Sequence, residues 1–180
     1  INIGVAVAIP DGLVVPVLKN ADQMNYNQIS ASVKDMAGRA KSKGLKVPLS
    51  CLSSARFGIG WVSLGAAQDC MHVALEYSKE RIQFDKPIGQ FQLTQKKLAE
   101  MITEITKGQL LAWRIGVLAN EGRATPAMIS MVKRNNVDAA IKIARESRQI
   151  LGGMGISAEF PIMRHMMNLE SVITYEGTHD

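Results

Sequence analysis

The sequence predicts a mainly α-helical protein, an up-and-down bundle of helices that follows a short segment made of a β-hairpin and one helix. Apolar residues alternate with other residues only over residues 1–18, which indicates strands there. From Asn25 onward they recur every three or four residues, which is the period of a helix. Aromatic residues make up only 5% of the chain and methionines number ten, a composition that suits helices packed through Leu, Ile, Ala and Met.

The N-terminal segment carries a hairpin signal and then a helix signal. The alternating residues end at the turn sequence PDG at 10–12, and the apolar run LVVPVL follows. In the next helix, Asn25 is placed to cap the first turn together with Gln28, and Gly44 is placed to end it. A strand pair and one helix cannot bury both of their apolar faces alone, so this segment needs a partner.

From Pro48 onward the chain is predicted to be helical with short breaks. The first long helix carries small residues that allow another backbone to approach closely, namely Gly58, Gly60, Gly65, Ala66 and Ala67. The break DKPIGQ follows at 85–90, and a second long helix is predicted from about Leu93 to Asn120. The apolar stripe of this second helix comprises Leu98, Met101, Ile102, Ile105, Leu111 and Ile115.

The third long helix has a strong start signal. Thr125 is placed as its N-cap and Pro126 as its first residue, and Gly152 and Gly153 mark its end. Its apolar stripe comprises Ile129, Val132, Val137, Ala140 and Ile143. We expect this helix and the glycine loop after it to form an oligomer contact, since their small and apolar residues would otherwise be exposed. A short fourth helix around 163–169 completes the bundle.

Charge and cysteine content narrow the function classes. The formal net charge is +5, but basic residues are interspersed with acidic ones, so we expect small anionic ligands rather than DNA.

Cys51 and Cys70 fit neither a disulfide framework nor a metal-binding pair, so we interpret both as small buried hydrophobes in a reducing compartment. No apolar run is long enough to cross a bilayer. His72, His165 and His179 have no ligand spacing, so no metal site is predicted.

Taken singly, the polar motifs of the bundle indicate nothing catalytic. The sequence TYEGTH around Glu176 is typical of a solvated helix end, and LGGMGI at 151–156 is typical of a helix C-cap. The sequence ERIQFDKP at 80–87 is typical of a charged helix end. Their occurrence together, in this order, is what points to a function.

Residues 49–180 closely resemble the C-terminal helical domain of the acyl-CoA dehydrogenases, and most of all the glutaryl-CoA dehydrogenases. The resemblance rests on four ordered motifs, CLSSARFGIGWVSLGAA, YSKERIQFDKPIGQFQLTQKKLAEM, QILGGMGISAEFPIMRHMMNLE and TYEGTH. It implies an FAD-dependent oxidoreductase that dehydrogenates an acyl-CoA thioester between its α and β carbons. For the glutaryl type it further implies decarboxylation of the product to crotonyl-CoA. It also implies a homotetramer, electron-transfer flavoprotein as a partner, and a bacterial cytoplasm or mitochondrial matrix.

The resemblance implies roles for particular residues at the end of the chain. Glu176 matches the family's catalytic base, and its backbone N–H matches a donor to the thioester carbonyl. Gly177 leaves room for the acyl chain, and Tyr175 flanks the pocket. Arg56 matches an arginine near the acyl-CoA, and Thr178 matches a flavin contact. A base beside the α carbon and donors to the carbonyl oxygen are what removal of an α proton requires.

Two further groups match contacts to the FAD of a neighbouring subunit. The first group, at the pyrophosphate and adenine end, comprises Arg81, Gln83 and Phe84. An arginine suits a diphosphate because its guanidinium donates two parallel hydrogen bonds. The second group comprises Gln149, Gly152 and Gly153, whose glycines allow close backbone approach.

Residues 1–47 resemble part of the catalytic domain of the dihydrolipoamide acyltransferases, the core subunits of 2-oxo acid dehydrogenase complexes. The H-x-x-x-D-G motif that carries that family's catalytic histidine does not occur in the chain, so no acyl-transfer residue is implied. We therefore expect two segments, residues 1–48 and 49–180, in an incomplete or composite chain joined near residues 47–50. Two alternatives stay open, namely a lipoamide acyltransferase segment and a non-catalytic helical module that mediates assembly.

Overall fold

The computed structural model describes residues 1–9, 12–43 and 46–179 and divides the chain into two compact units, Ile1–Leu52 and Ser53–Asp180. Most described residues are helical, and strands are short. The predicted fold class, a mainly α protein with an N-terminal hairpin and helix followed by a helical bundle, is confirmed. No helix among the described residues is both long and apolar enough to cross a membrane.

The first unit begins with four short strands. Strand β1 (Ile3–Gly4) pairs antiparallel with β4 (Val17–Leu18), and β2 (Val7–Ile9) pairs antiparallel with β3 (Gly12–Val14). The predicted hairpin is therefore confirmed, although Pro10 and Asp11 of its turn lie outside the described residues. Among the strand residues whose burial the structure describes, Val7, Val14 and Leu18 are buried.

Helix α1 (Tyr26–Lys43) follows the strands and begins at the predicted cap. The Asn25 side-chain oxygen accepts a hydrogen bond from the Gln28 backbone N–H, and the Gln28 side-chain oxygen accepts one from the Asn25 N–H, both at 2.9 Å. Two N–H groups that the helix itself leaves unpaired are satisfied in this way. The predicted end of the helix at Gly44 lies outside the described residues.

Four helices make up most of the rest of the chain. They are α2 (Lys46–Glu80), α3 (Gln92–Asn120), α4 (Pro126–Leu151) and α5 (Ile162–Val172). Within the second unit, α4 packs against both α3 and α5. Thr125 caps α4 as predicted, since its hydroxyl oxygen accepts a hydrogen bond from the Met128 N–H at 3.3 Å, and Pro126 is the first helical residue.

The break between α2 and α3 contains a small hairpin that the sequence analysis did not predict. Strand β5 (Ile82–Gln83) pairs antiparallel with β6 (Lys86–Pro87). The two turn residues, Phe84 and Asp85, have φ of 53° and 63°, which a turn of this kind normally obtains from Asn or Gly. Phe91 packs edge-on against Phe84 and lies 4.4 Å beneath the Lys86 ammonium, contacts that offset the strain of the turn.

The centre of the bundle is a three-helix junction at Asn136 of α4, which is fully buried. Its side-chain nitrogen donates to the Gly60 carbonyl of α2 at 3.0 Å and to the Gly108 carbonyl of α3 at 3.2 Å. A Cβ on Gly60 would lie 2.6 Å from a methyl carbon of Val132, and one on Gly108 would lie 2.8 Å from a methyl carbon of Leu64. The helices therefore approach each other at glycines because no side chain fits there.

The predicted apolar stripes are largely buried. In α4, Val132, Val137, Ala140 and Ile143 are buried and Ile129 is partly buried. The α4 stripe itself packs inside the bundle, whereas Met154 and Ile156 of the loop after α4 are exposed, so the oligomer contact stays a prediction. In α3, Ile102 was placed wrongly, since it is 47% exposed beside the buried Met101.

The two cysteines differ in environment. Cys70 is fully buried in the bundle, as expected. Burial, helped by the neighbouring charge of Asp69, raises the pKa of the Cys70 thiol to about 12, so this cysteine stays protonated and unreactive. Cys51 is exposed, and its interpretation as a buried hydrophobe was wrong.

We predict that Gly108→Ala destabilises the bundle by about 1–3 kcal/mol, because the new methyl group overpacks the junction. Its Cβ would lie 2.9 Å from the Asn136 side-chain oxygen as well as 2.8 Å from Leu64. Gly116→Ala on the same helix is the matched control, since its Cβ would meet only Phe57, at 3.5 Å. Because alanine has a better helix propensity than glycine, Gly116→Ala should leave the stability unchanged or raise it by up to about 1 kcal/mol.

Urea unfolding followed by tryptophan fluorescence measures this difference. The two tryptophans, Trp61 and Trp113, both lie in the second unit, so their emission reports on the bundle. Equal stability of the two alanine variants would contradict the packing described for Gly108.

Candidate functional site

The segment after α5 has an unusual backbone. Its turn is held by hydrogen bonds from the N–H groups of Thr174 and Tyr175 to the Ser171 carbonyl, both at 3.1 Å. Glu176 then has φ of 56° and Gly177 has φ of 109°. The left-handed conformation costs a residue with a Cβ about 1–2 kcal/mol, and such strain persists where surrounding contacts impose it. Glu176 is therefore held in place by its neighbours.

Arg56 of α2 supplies one of these contacts. Its Nε donates to the Glu176 carbonyl oxygen at 2.7 Å, and its Nη1 donates to the Ser130 hydroxyl of α4 at 3.0 Å. The planar guanidinium aligns the two bonds. It therefore links α2, α4 and the C-terminal segment.

Lys133 of α4 supplies the second contact, although it is only 3% exposed. Its Nζ donates to the Ile173 carbonyl at 3.0 Å and to the Gly177 carbonyl at 2.6 Å. Burial lowers the pKa of Lys133, the positive charge of Arg56 lowers it further, and the negative charge of Glu176 opposes the change. The positive charge of Arg56 and the negative charge of Glu176 therefore both act on the Lys133 ammonium.

These groups border a cavity of about 540 Å³. Its lining comprises Arg56, Ala127, Ser130, Met131, Lys133, Arg134, Glu176, Gly177, Thr178 and His179. The Glu176 Oε2 atom and the His179 Nδ1 atom are buried and make no hydrogen bond with any residue that the structure describes. The His179 Nε2 atom lies 3.8 Å from a carboxylate oxygen of Asp138. Buried polar atoms are normally paired, so an unpaired carboxylate oxygen at a cavity indicates a site for a reactant.

A second cavity, of about 460 Å³, lies between α3 and α4 and is less suited to chemistry. Its charged side chains pair with one another, as in the Lys97–Glu146 and Lys142–Asp138 ion pairs, both at 2.6 Å. Exposed pairs of this kind are ordinary features of a protein surface.

The structure brings together four of the site residues that the resemblance implied. Arg56, Glu176, Gly177 and Thr178 all line the 540 Å³ cavity. Tyr175 is 48% exposed and does not line it. Residues that the resemblance selected from two distant parts of the chain, Arg56 and the segment 176–178, therefore line one cavity.

The two groups implied as FAD contacts lie elsewhere on the bundle. Arg81, Gln83 and Phe84 belong to the β5–β6 hairpin and are exposed, Phe84 by 86%. Gln149, Gly152 and Gly153 lie at the C-terminal end of α4 and are exposed too. None of the six lines the cavity.

The sequence analysis did not identify Ser130, Lys133, Arg134 and His179, which also line the cavity. The sequence did contain a signal that Lys133 is unusual, because its position in the helical repeat falls on the buried side of α4, between Val132 and Asn136. A lysine in such a position is rare unless it is paired. Among the described residues, no group of three His, Cys, Asp or Glu side chains is placed to hold a metal ion.

Comparison with known proteins identifies the family. The family model for the acyl-CoA dehydrogenase C-terminal domain matches residues 42–180, and the model for the 2-oxoacid dehydrogenase acyltransferase catalytic domain matches residues 1–48. The chain therefore belongs to the acyl-CoA dehydrogenase family through most of its length. Its first segment is similar to the acyltransferase catalytic domain.

Individual relatives agree with this family. The short-chain specific acyl-CoA dehydrogenase of Megasphaera elsdenii is 32% identical over 158 residues, which are 88% of this chain and 41% of that protein. The crystal structure of glutaryl-CoA dehydrogenase from Mycobacterium smegmatis is 55% identical with a TM-score of 0.73, covering 75% of this chain and 35% of that one.

A further Mycobacterium smegmatis glutaryl-CoA dehydrogenase structure, in complex with FADH2, is 51% identical with a TM-score of 0.74. It covers 76% of this chain and 35% of that chain. The chain thus spans well under half the length of these relatives.

We predict that Arg56 and Ser130 are energetically coupled in the folded chain. In a double-mutant cycle of Arg56→Met and Ser130→Ala, the coupling free energy should be about 0.5–1.5 kcal/mol. This is the net contribution of one partly buried hydrogen bond to stability. Urea unfolding of each variant measures it. Arg114→Met, at an exposed position of α3, serves as the control and should combine additively with Ser130→Ala. A coupling of zero for Arg56 would contradict the bond.

Proposed function

We propose that residues 49–180 form the C-terminal domain of an FAD-dependent acyl-CoA dehydrogenase and that Glu176 is its catalytic base. Residues 1–48 form a separate acyltransferase-like segment. The single observation that carries the proposal is the buried, unpaired Oε2 atom of Glu176, at the edge of a cavity and on a strained backbone. A carboxylate held in this way is ready to accept a proton from a bound substrate.

The backbone at Glu176 suits the other requirement of this chemistry. Its N–H makes no hydrogen bond with another described residue, so it is available to donate to the thioester carbonyl. That bond strengthens as negative charge develops on the oxygen during removal of the α proton. The Glu176 carboxylate accepts the α proton, and FAD, when bound, would supply the acceptor for the hydride of the β carbon. Gly177 has no side chain to obstruct the acyl chain. The resemblance assigns Tyr175 to the edge of the substrate pocket, although it does not line the cavity of this chain.

The exposed residues away from the cavity fit the flavin nucleotide. Arg81 offers a guanidinium suited to a diphosphate, and the exposed Phe84 ring and Gln83 suit the adenine end. Apart from adjacent residues, no described atom lies within 4 Å of where a Cβ of Gly152 or Gly153 would be, so a ligand can approach the backbone there.

These residues do not line the cavity that holds Glu176, and the family resemblance assigns them to the FAD of a neighbouring subunit in a homotetramer. The resemblance assigns Gln149 to the same contact as the glycines, and it assigns Thr178, two residues after Glu176, to a flavin contact.

For the substrate we propose an acyl-CoA of the glutaryl type, with decarboxylation of the product to crotonyl-CoA. The proposal rests on the 55% identity with a glutaryl-CoA dehydrogenase. The positive charges of Arg56, Lys133 and Arg134 at the cavity suit an anionic ligand. Electron-transfer flavoprotein would reoxidise the flavin, in the bacterial cytoplasm or the mitochondrial matrix.

A lipoamide acyltransferase activity is the second candidate, because residues 1–48 match that catalytic domain. The chain lacks the H-x-x-x-D-G motif of that family, which makes this activity the weaker candidate. A purified chain that binds FAD and shows flavin absorbance favours the first function. Acyl transfer from dihydrolipoamide favours the second, and a colourless oligomer without either activity favours an assembly module.

We predict that Glu176→Gln abolishes most catalysis in an acyl-CoA dehydrogenase whose C-terminal domain is replaced by residues 53–180. The amide keeps the size of the side chain but cannot accept the proton, so reduction of the flavin by substrate should slow about 100-fold or more. Stopped-flow bleaching of the flavin measures this step alone. FAD content and acyl-CoA affinity should stay near those of the parent.

Glu159→Gln is the matched control for this experiment, because Glu159 is exposed and lies outside the cavity. It should bleach at the parent rate. If Glu176→Gln also bleached at the parent rate, Glu176 would not be the base.

A further inference from the structure

We propose that Lys133 is a positioning residue that fixes the conformation of the catalytic carboxylate's backbone. The inference deepens the proposed function and rests on it for the identity of the base. Lys133 does not need to touch the substrate for this role. It acts through the carbonyl groups on either side of Glu176.

The hydrogen bonds of Lys133 enclose the loop on both sides of Glu176. One nitrogen binds the carbonyl of Ile173, three residues before Glu176, and the carbonyl of Gly177, one residue after it. The intervening backbone is thereby closed into a ring through the lysine. Arg56 binds the carbonyl of Glu176 itself. With three carbonyls of the loop held, the backbone at Glu176 and Gly177 cannot relax to negative φ without breaking bonds.

The position of Lys133 argues against a merely incidental contact. It is 3% exposed and lies on the buried side of α4, next to Val132 and one turn from Asn136 and Val137. Taking an ammonium group out of water costs free energy, and burial and Arg56 lower its pKa accordingly. An apolar side chain there would pack without this cost, but it would leave two loop carbonyls without a donor.

A positioning role for Lys133 has a kinetic signature that differs from that of a residue that only stabilises the fold. If the loop loses its left-handed turn, the carboxylate and the N–H of Glu176 move away from the reacting atoms, which slows proton removal. Binding of the acyl-CoA as a whole depends on many other contacts and changes little. The expected result is therefore a loss in kcat with little change in substrate affinity.

The first measurement uses the 180-residue chain and does not depend on activity. In Lys133→Met, which keeps the apolar stem and removes the donor, hydrogen exchange should accelerate about 10-fold or more at the hydrogen-bonded amides of Ile173, Thr174 and Tyr175, because the loop opens more often. Exchange in α3 should stay as in the parent. The matched control is Lys107→Met, at an exposed lysine paired with Glu104, which should leave the loop unchanged.

A second variant covers the case in which Lys133→Met does not fold. Lys133→Gln retains a neutral donor on a shorter side chain, so its loop exchange should lie between those of the parent and Lys133→Met. Parent-like exchange of the amides of Ile173, Thr174 and Tyr175 in a folded Lys133→Met, or in Lys133→Gln if only that variant folds, overturns the proposal.

The second measurement uses the dehydrogenase that carries residues 53–180. Lys133→Met should slow flavin bleaching by about 10- to 100-fold, the size of effect that misplacing a catalytic group produces, with acyl-CoA affinity within about 3-fold of the parent. A changed affinity with an unchanged bleaching rate would overturn the positioning role. Unchanged bleaching in Glu176→Gln would instead remove the proposed base, and the exchange experiment would still decide whether Lys133 holds the loop.

Discussion

The side chain of Asn136 donates to the carbonyls of Gly60 and Gly108, and the position of every group in the candidate site depends on this junction. A buried amide costs free energy if a partner is missing, so the two hydrogen bonds fix where α2 and α3 lie along α4. The glycines make the short separation possible. A shift of one helix by a residue would leave the amide unpaired and bring a side chain into the space that only a glycine allows.

The site follows from this fixed register. Arg56 precedes Gly60 by one turn of α2, and Lys133 precedes Asn136 by about one turn of α4. Ser130 lies on α4 one turn earlier still. Once the junction is formed, Arg56 reaches both Ser130 and the Glu176 carbonyl, while Lys133 reaches the carbonyls on either side of Glu176. A structural contact in the core thus determines the geometry at the cavity.

Arg56 and Lys133 bind backbone oxygens and leave the Glu176 Oε2 atom without a hydrogen bond from the described residues. A direct ion pair would occupy the oxygen that has to accept a proton. Holding the carbonyls instead imposes the left-handed backbone at Glu176 and keeps the carboxylate available. The strain at this residue is therefore concentrated where the proposed chemistry takes place, as is common at functional sites.

The sequence by itself determined the elements of the fold and the family. Helical periodicity, the Asn25 and Thr125 caps and the hairpin alternation are local signals, because each depends on residues within a few positions of one another. The ordered motifs also sufficed to select Glu176 and Arg56. Only the tertiary structure decided that Lys133, Ser130 and His179 belong to the same cavity, that Ile102 is exposed, and that Phe84 and Asp85 form a turn. Lys133, Ser130 and His179 meet through contacts between residues far apart in the chain, and the place of Lys133 on α4 does not by itself show which groups its ammonium binds. The turn is local, but Phe84 and Asp85 are not the residue types that normally signal it.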